Sequence, residues 1–246
     1  MSQVSRIAIG SQPPIVPLHS TTRLQLLGAF ELHVDGRLVD LPNTSQRLIA
    51  FLALQGAMVR RHFVAGSLWL EVPDRRALAS LRSALWRVHG SGSDLIVTAG
   101  SSLGLKESVR VDVVDAGASA AAVPHEGEAR QDTALSPLVA ELLPDWYDDW
   151  IVPKREVWRQ VRLHAMETVA RRLCGRADYS LALEFALAAI AVDPLRESAH
   201  RVAMEIHLAE GNASEAFRHY SRYGEYLERE LGLHPSDAMQ GLLPDA

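Results

Sequence analysis

Apolar and polar positions change period along the chain, and the changes mark out its elements. Between Arg23 and Leu41 apolar residues alternate with others, through Leu24, Leu26, Phe30, Leu32 and Val34. That is the two-residue period of a half-buried strand. Asp35-Gly36 is a hairpin pair, and Arg37 to Leu41 reads as the returning strand of a small antiparallel sheet. From Asn43 the period becomes helical. Leu48, Ile49, Phe51, Leu52 and Leu54 form a broad stripe, Asn43-Thr44 offers a cap, and Gly56 offers a stop. A second helix is expected over about Arg61 to Leu70, and a third from Asp74, whose carboxylate suits an N-cap, to Val88. Gly90-Ser91-Gly92 breaks it. Leu95 to Thr98 then reads as a strand, Ala99 to Ser102 as a turn, Leu103 to Leu105 as the return, and Val109 to Val113 as a closing strand.

On a wheel of about 100° per residue, the third helix places Leu78, Leu81, Leu85 and Val88 on one side. Arg76, Ser80, Ser83 and Arg87 fall on the other, with Arg82 and Trp86 at the flank. The stripe holds two arginines and two hydroxyls and no acid. Guanidinium forks suit guanine edges or phosphates, and short hydroxyls allow close approach to a duplex. In an isolated helix the same pattern is an ordinary solvated face. Here it sits in a series of strands, three helices and a hairpin, the order of a winged helix, whose third helix enters the major groove while the hairpin wing lies along the neighbouring minor groove or backbone.

After Val113 the pattern is almost wholly helical. Val114 to Ser136 reads as a short helix and an exposed loop around Pro124-His125-Glu126-Gly127-Glu128. Helices are expected from the segment after Glu141 and over about Ser180–Val192, Arg196–Glu210 and Ala213–Leu231. An offset of 34 residues superposes Asp178 on Asn212, Ala182 on Ala216, Leu183 on Phe217 and Ala186 on Tyr220. Thirty-four is the tetratricopeptide period, and Pro194 lies just past a helix end, where that repeat commonly has a proline. Such repeats build concave protein- or peptide-binding surfaces. The expected layout is a polar, Pro-containing flexible tail over 1–21, an α+β winged helix-turn-helix domain over 22–113 and an all-α tetratricopeptide-like domain over 114–246.

Charge sharpens the division. The net charge of −5 combines 11 basic against 8 acidic residues from Thr22 to Val113 with 13 against 22 from Val114 onward, and Arg6 in the first 21 residues adds one positive charge. A mildly basic half joined to an acidic one suits a protein with one end on a polyanion. No apolar run approaches the roughly 20 residues of a membrane span, and no secretory leader is seen, so a cytoplasmic protein without membrane contact is expected. Cys174 is the single cysteine, which excludes an internal disulfide and fits a small core residue.

These residues also resemble a known family. The stretches LLGAFELHVDGRLVDLP, QRLIAFLALQG, the LRSALWRV helix and LGLKESVRVDV resemble the response-regulator-type winged helix of the SARP family, the Streptomyces antibiotic regulatory proteins. ELLPDWYDDWIVPKREVWRQVRLHAMETVARRL, DPLRESAHR, AEGNASEAFRHYSRY and LERELGLHPS resemble the bacterial transcriptional activator domain that follows it in that family. One departure is in the wing: many members have Gly-Tyr-Arg-Leu where this chain has Ser102-Leu103-Gly104-Leu105. The resemblance implies a transcriptional activator of a biosynthetic, secondary-metabolite gene cluster, reading direct-repeat promoter elements as a homodimer at least on DNA. It also implies that the turn Glu71, Val72, Pro73 touches RNA polymerase. Arg76, Ser80, Ser83 and Arg87 are then the candidates for bases or nearby phosphates. Arg82, Arg60, Arg61 and the wing residues Thr98, Ser101, Ser102 and Lys106 are candidates for the backbone. Trp86 is either packed under the wing or set against a sugar or a thymine methyl.

The chemistry of an enzyme is not visible. There is no Gly-rich phosphate loop after a strand and no nucleophile elbow. The ten histidines are scattered; His200 and His207 are seven apart on one helix without further ligand spacing, so neither metal nor cofactor is expected. Asp145, Asp148 and Asp149 lack the partners of an acid–base site and are expected to be solvated or capping. Trp146, Tyr147, Trp150 and Trp158 read as a clamp between the domains, the alternative being a cage for a small molecule in a ligand-gated regulator. The remaining alternative is a tetratricopeptide-like adaptor whose winged helix no longer reads DNA.

Overall fold

The computed structural model describes residues 21–121 and 135–243. The expected tail up to residue 20 and the loop around Pro124 to Glu128 lie outside the described residues. The order of elements is β1 (Thr22–Gln25), β2 (Glu31–Val34), β3 (Arg37–Leu38), α1 (Asn43–Gln55), β4 (Val59–Arg60), α2 (Arg61–Leu68) and α3 (Asp74–Gly90). The wing hairpin β5 (Ile96–Ala99) and β6 (Ser102–Leu105) follows, then β7 (Val109–Val111) and α4 (Asp112–Ala121). The helical half comprises α5 (Leu135–Val139), α6 (Val152–Gly175), α7 (Tyr179–Val192), α8 (Glu197–Ala209), α9 (Ala213–Leu231) and α10 (Asp237–Gln240).

The first sheet has the order β3-β2-β1-β7. Asp35 and Gly36 both have positive φ, 51° and 76°, as the tight hairpin turn requires. Val109 to Val111 reads as a strand from its alternation, but its partner is not the wing: it pairs in parallel with β1, Thr22 opposite Val109. The strand ends at Val111, two residues earlier than expected, because Asp112 starts α4. The wing sheet has the order β4-β6-β5, and β4 was not expected from the sequence. Its two residues pair Val59 with Leu103 and Arg60 with Ser102. Gly104 in β6 leaves room for Met58, whose sulfur would lie 2.5 Å from a Cβ at that position.

Two expected caps are replaced by one device. α1 and α3 each start one residue after a proline, Pro42 and Pro73, both with φ −57° and ψ 146° and neither helix with a side-chain cap. The Pro73 carbonyl accepts from the Arg76 and Ala77 N–H groups at 2.8 and 3.1 Å, and Pro42 does the same for Ser45 and Gln46. Asn43 and Asp74 are therefore first-turn residues. Asp74 still places a negative charge where the helix dipole favours it. α2 ends at Leu68 rather than Leu70, and α1 ends at Gly56 with φ 63°, as expected.

In the second half α6, α7, α8 and α9 pack in succession, with α6 also against α8. The 34-residue offset is structural. Asp178 and Asn212 both precede a helix with nearly the same backbone angles, each after a positive-φ residue, Ala177 or Gly211. Ala182 and Ala216 are both fully buried, so small side chains permit close helix approach at equivalent points.

The halves share one core, a continuous buried cluster running from Leu24 to Ile206. The seam is both apolar and polar. Trp146 stacks on Phe30, with ring centroids 6.1 Å apart, and Trp150 meets Phe51 edge-on at 5.2 Å. Leu143 N–H donates to the Leu26 carbonyl at 2.9 Å and Gly28 N–H to that of Glu141 at 2.7 Å. Arg47 pairs with Asp148, so this carboxylate bridges the seam instead of being solvated or capping. The Asp112 carboxylate accepts from the N–H groups of Leu26 and Leu27, both at 2.9 Å, and of Val113 at 2.7 Å. Asp112→Asn replaces one acceptor oxygen by an amide that faces a donor, leaving a part-buried N–H without its partner. The expected loss is about 1–3 kcal/mol in urea denaturation, in a single transition for both halves because the core is shared.

Candidate nucleic-acid interface

α3 is held by α1 and α2 through Ala77, Leu81, Ala84, Leu85 and Val88, all buried. The two alanines rotate the inner face away from the one counted on leucines alone, and Leu78 is only partly buried. At about 100° per residue the outward centre therefore falls on Arg75, Ala79, Ser83 and Trp86, with Arg76 and Arg82 at similar angles on either side of it. Trp86 was expected at the flank and lies at the centre, while Arg82 stays at the flank. Arg76, Ser80 and Arg87, expected opposite the core, turn to one side, where Ser80 is half-buried and the Arg87 guanidinium donates to Thr44 Oγ1 in the first turn of α1 at 3.2 Å. Arg75, exposed in the first turn, was missed. Its signal was the spacing Arg75, Ala79, Arg82, Trp86, a line along the helix once Ala77 and Ala84 are counted as core.

Trp86 is 76 % exposed, so it does not pack under the wing. Among the described residues no carboxylate pairs with Arg75, Arg76, Arg82, Arg87, Arg60 or Arg61. In the helical half most arginines among the described residues are paired: Arg159, Arg162, Arg171, Arg196, Arg201, Arg218 and Arg229 each have a carboxylate, while Arg155, Arg172, Arg176 and Arg222 do not. A row of cations without acidic partners is an electrostatic footprint for a polyanion.

The wing is tied to the helices through β4, which runs directly into α2, and through α1. Gly100 takes φ 57° at the tip, with Thr98 and Ser101 exposed and Ser102 half-buried. Pairing of β4 with β6 brings Arg60 alongside Ser102, and the Arg61 N–H donates to the Ser101 carbonyl at 2.8 Å. Arg60, Arg61 and the wing tip thus form one patch. Lys106 lies at the base of the hairpin with its ammonium on Asp94, apart from the tip. Glu71, Val72 and Pro73 form the turn between α2 and α3, where Glu71 and Pro73 are exposed.

The aromatic residues of the entry segment do not enclose a cage. Trp146 and Trp150 are packed against the winged helix, Trp158 is buried with its indole N–H donating to the Ala140 carbonyl at 3.0 Å, and Tyr147 is 88 % exposed. Arg155 fills the space behind them, donating to the carbonyls of Leu142, Leu143 and Trp146. Among the described residues no group of three His, Cys, Asp or Glu is placed to hold a metal, and no helix is long and apolar enough to cross a membrane.

The profile of the bacterial transcriptional activator domain matches residues 109–243, more than half of the chain. The chain belongs to this family. A structure of Mycobacterium tuberculosis EmbR in complex with a low-affinity phosphopeptide has the same fold, with a TM-score of 0.69 and 20 % identity over 91 % of this chain. The chain spans 64 % of the EmbR chain. A search of curated protein sequences finds no match. In this chain the matched activator domain follows a winged helix, an order of parts that the shared fold with EmbR also contains.

The exposed α3 side chains contribute little to folding. Arg75→Ala, Arg82→Ala and Trp86→Ala are expected to change unfolding free energy by no more than about 0.5 kcal/mol in chemical denaturation, which frees them for tests of binding.

Proposed function

We propose that this chain activates transcription by reading direct-repeat promoter elements, with α3 in the major groove and the wing on the adjacent backbone. The observation that carries the reading is the row of arginines on α3 without acidic partners, on a helix whose opposite face is locked into the core. Arg75, Arg82, Ser83 and Trp86 face the bases: the guanidinium forks suit guanine, and the indole suits a thymine methyl. Arg76, Ser80 and Arg87 reach the same groove from its side, Arg87 with Thr44 holding its rotamer. Arg60, Arg61, Thr98, Ser101 and Ser102 contact phosphates, and Lys106 adds a weaker contribution because Asp94 neutralises it. The turn Glu71, Val72, Pro73 offers the surface for RNA polymerase. Two protomers side by side match a direct repeat, and the controlled genes belong to a biosynthetic cluster.

The test starts from genomic fragments selected by the purified protein at two salt concentrations. On the enriched fragment, Arg82→Ala is expected to cost about 1–3 kcal/mol and to relax preference at one base pair, in fluorescence anisotropy. Arg61→Ala is expected to weaken all sequences alike and to reduce the salt slope by about 1. Wild-type affinity in both Arg75→Ala and Arg82→Ala would overturn the assignment of α3. Sequence-blind binding that vanishes at physiological salt would favour a protein-interaction adaptor instead.

A further inference from the structure

The helical half carries a second site with no place in the DNA-binding reading. A cleft of about 310 Å³ opens between α7, the turn after it, and α9. This is at the small end of the range for small-molecule pockets, roughly 300–1,000 Å³. Leu187 and Ile190 of α7 and Pro194 of the turn provide apolar walls, while α9 contributes His219, Arg222 and Tyr226. Arg222 has no carboxylate partner among the described residues, unlike its neighbours Arg218 and Arg229 on the same helix.

Behind the opening is a hydrogen-bonded pair of buried histidines, His200 at 8 % and His219 at 7 % exposure. The Pro194 carbonyl carries no proton, so the His200 Nε2–H donates to it, at 2.9 Å. His200 Nδ1 is therefore the acceptor, and the His219 Nε2–H donates to it, also at 2.9 Å. Tyr223 stacks on His200 with ring centroids 4.0 Å apart and fixes the ring. This order leaves His219 Nδ1 as the one nitrogen of the pair that can take a further proton without breaking either bond. Burial, reinforced by His200, Arg222 and His207, pushes His219 down to about 4. Burial also holds His200 below its ordinary value, against the nearby Asp193 and Glu197. The cleft is thus a small apolar space with a free guanidinium at its edge and an imidazole short of a counter-charge.

We propose that this cleft binds a small carboxylate with a planar apolar body, its anion on Arg222 and beside His219 and its body between the α7 side chains and Tyr226. A carboxylate there supplies the charge that His219 lacks, so binding takes up a proton. The other ionisable groups around the pair are Asp193 and Glu197 beside His200, His207 on α8, and Tyr223 on α9, which also lines the cleft.

Benzoate is the probe, titrated into the full-length chain and followed by two-dimensional NMR of the imidazole side chains and by calorimetry in buffers of different ionisation enthalpy. The expected result is saturable binding that strengthens as pH falls from 8 to 5, with net proton uptake and a His219 midpoint raised by about 1–3 pH units. Arg222→Gln is expected to weaken benzoate at least tenfold. Arg218→Gln, one turn away and outside the cleft, leaves it unchanged and controls for general charge. No saturable response in millimolar benzoate, equal affinity in Arg222→Gln, or an unmoved His219 midpoint would each overturn the proposal. DNA affinity of Arg222→Gln without benzoate stays at the wild-type value, so the outcome is independent of the α3 reading.

Discussion

The Asp112 carboxylate is the point on which both halves of the molecule depend. It sits where β7 ends and α4 begins, and its two oxygens take up the N–H groups of Leu26 and Leu27 at the end of β1 as well as that of Val113. Those donors lie just past the last rung of the β1–β7 pairing, where a strand would otherwise leave them open. A backbone donor buried without a partner costs as much as a lost hydrogen bond or more. The acid therefore fixes where the sheet stops, where α4 starts, and the path of the Leu26–Leu27–Gly28 segment. That segment in turn pairs with Glu141, Leu142 and Leu143. The aromatic contacts of Trp146 and Trp150 follow from this alignment.

A shared core has a mechanical meaning. The two parts of the chain are joined by buried leucines, stacked rings and an ion pair rather than by a solvated linker. Interfaces of this kind do not open on the timescale of a side-chain movement, and domains held by polar surfaces alone are the ones that swing freely. The direction in which α3 projects is therefore set relative to α6 and the helices after it. Any second protomer that packs on the helical half inherits a defined angle to its partner's α3.

Much of this was legible in the sequence because it rests on period and on punctuation. The helices of both halves, the Asp35-Gly36 hairpin, the wing and the 34-residue repeat all follow from residues whose type dictates backbone or face. What was not legible depends on partners distant in the chain or on residues without a strong preference. β4 is two residues long and exists because Leu103 and Ser102 are there to pair with it. β7 announces itself as a strand but not as a neighbour of β1. The caps of α1 and α3 come from proline carbonyls, which no side-chain preference reveals. The face of α3 was misjudged because Ala77 and Ala84 carry little hydrophobic weight in a count, yet are the residues that let α3 lie close to its neighbours. The His200–His219 pair was invisible because it joins different helices, whereas the sequence pointed to His200 and His207 on one.

The five tryptophans divide the molecule by their surroundings. Trp158 is buried, Trp69, Trp146 and Trp150 are half-buried, and Trp86 alone stands largely in water on α3. The emission of the native protein is accordingly the sum of a blue-shifted interior signal and a red-shifted one from a single indole. The two can be read separately, the first reporting the integrity of the shared core and the second what comes to rest against α3.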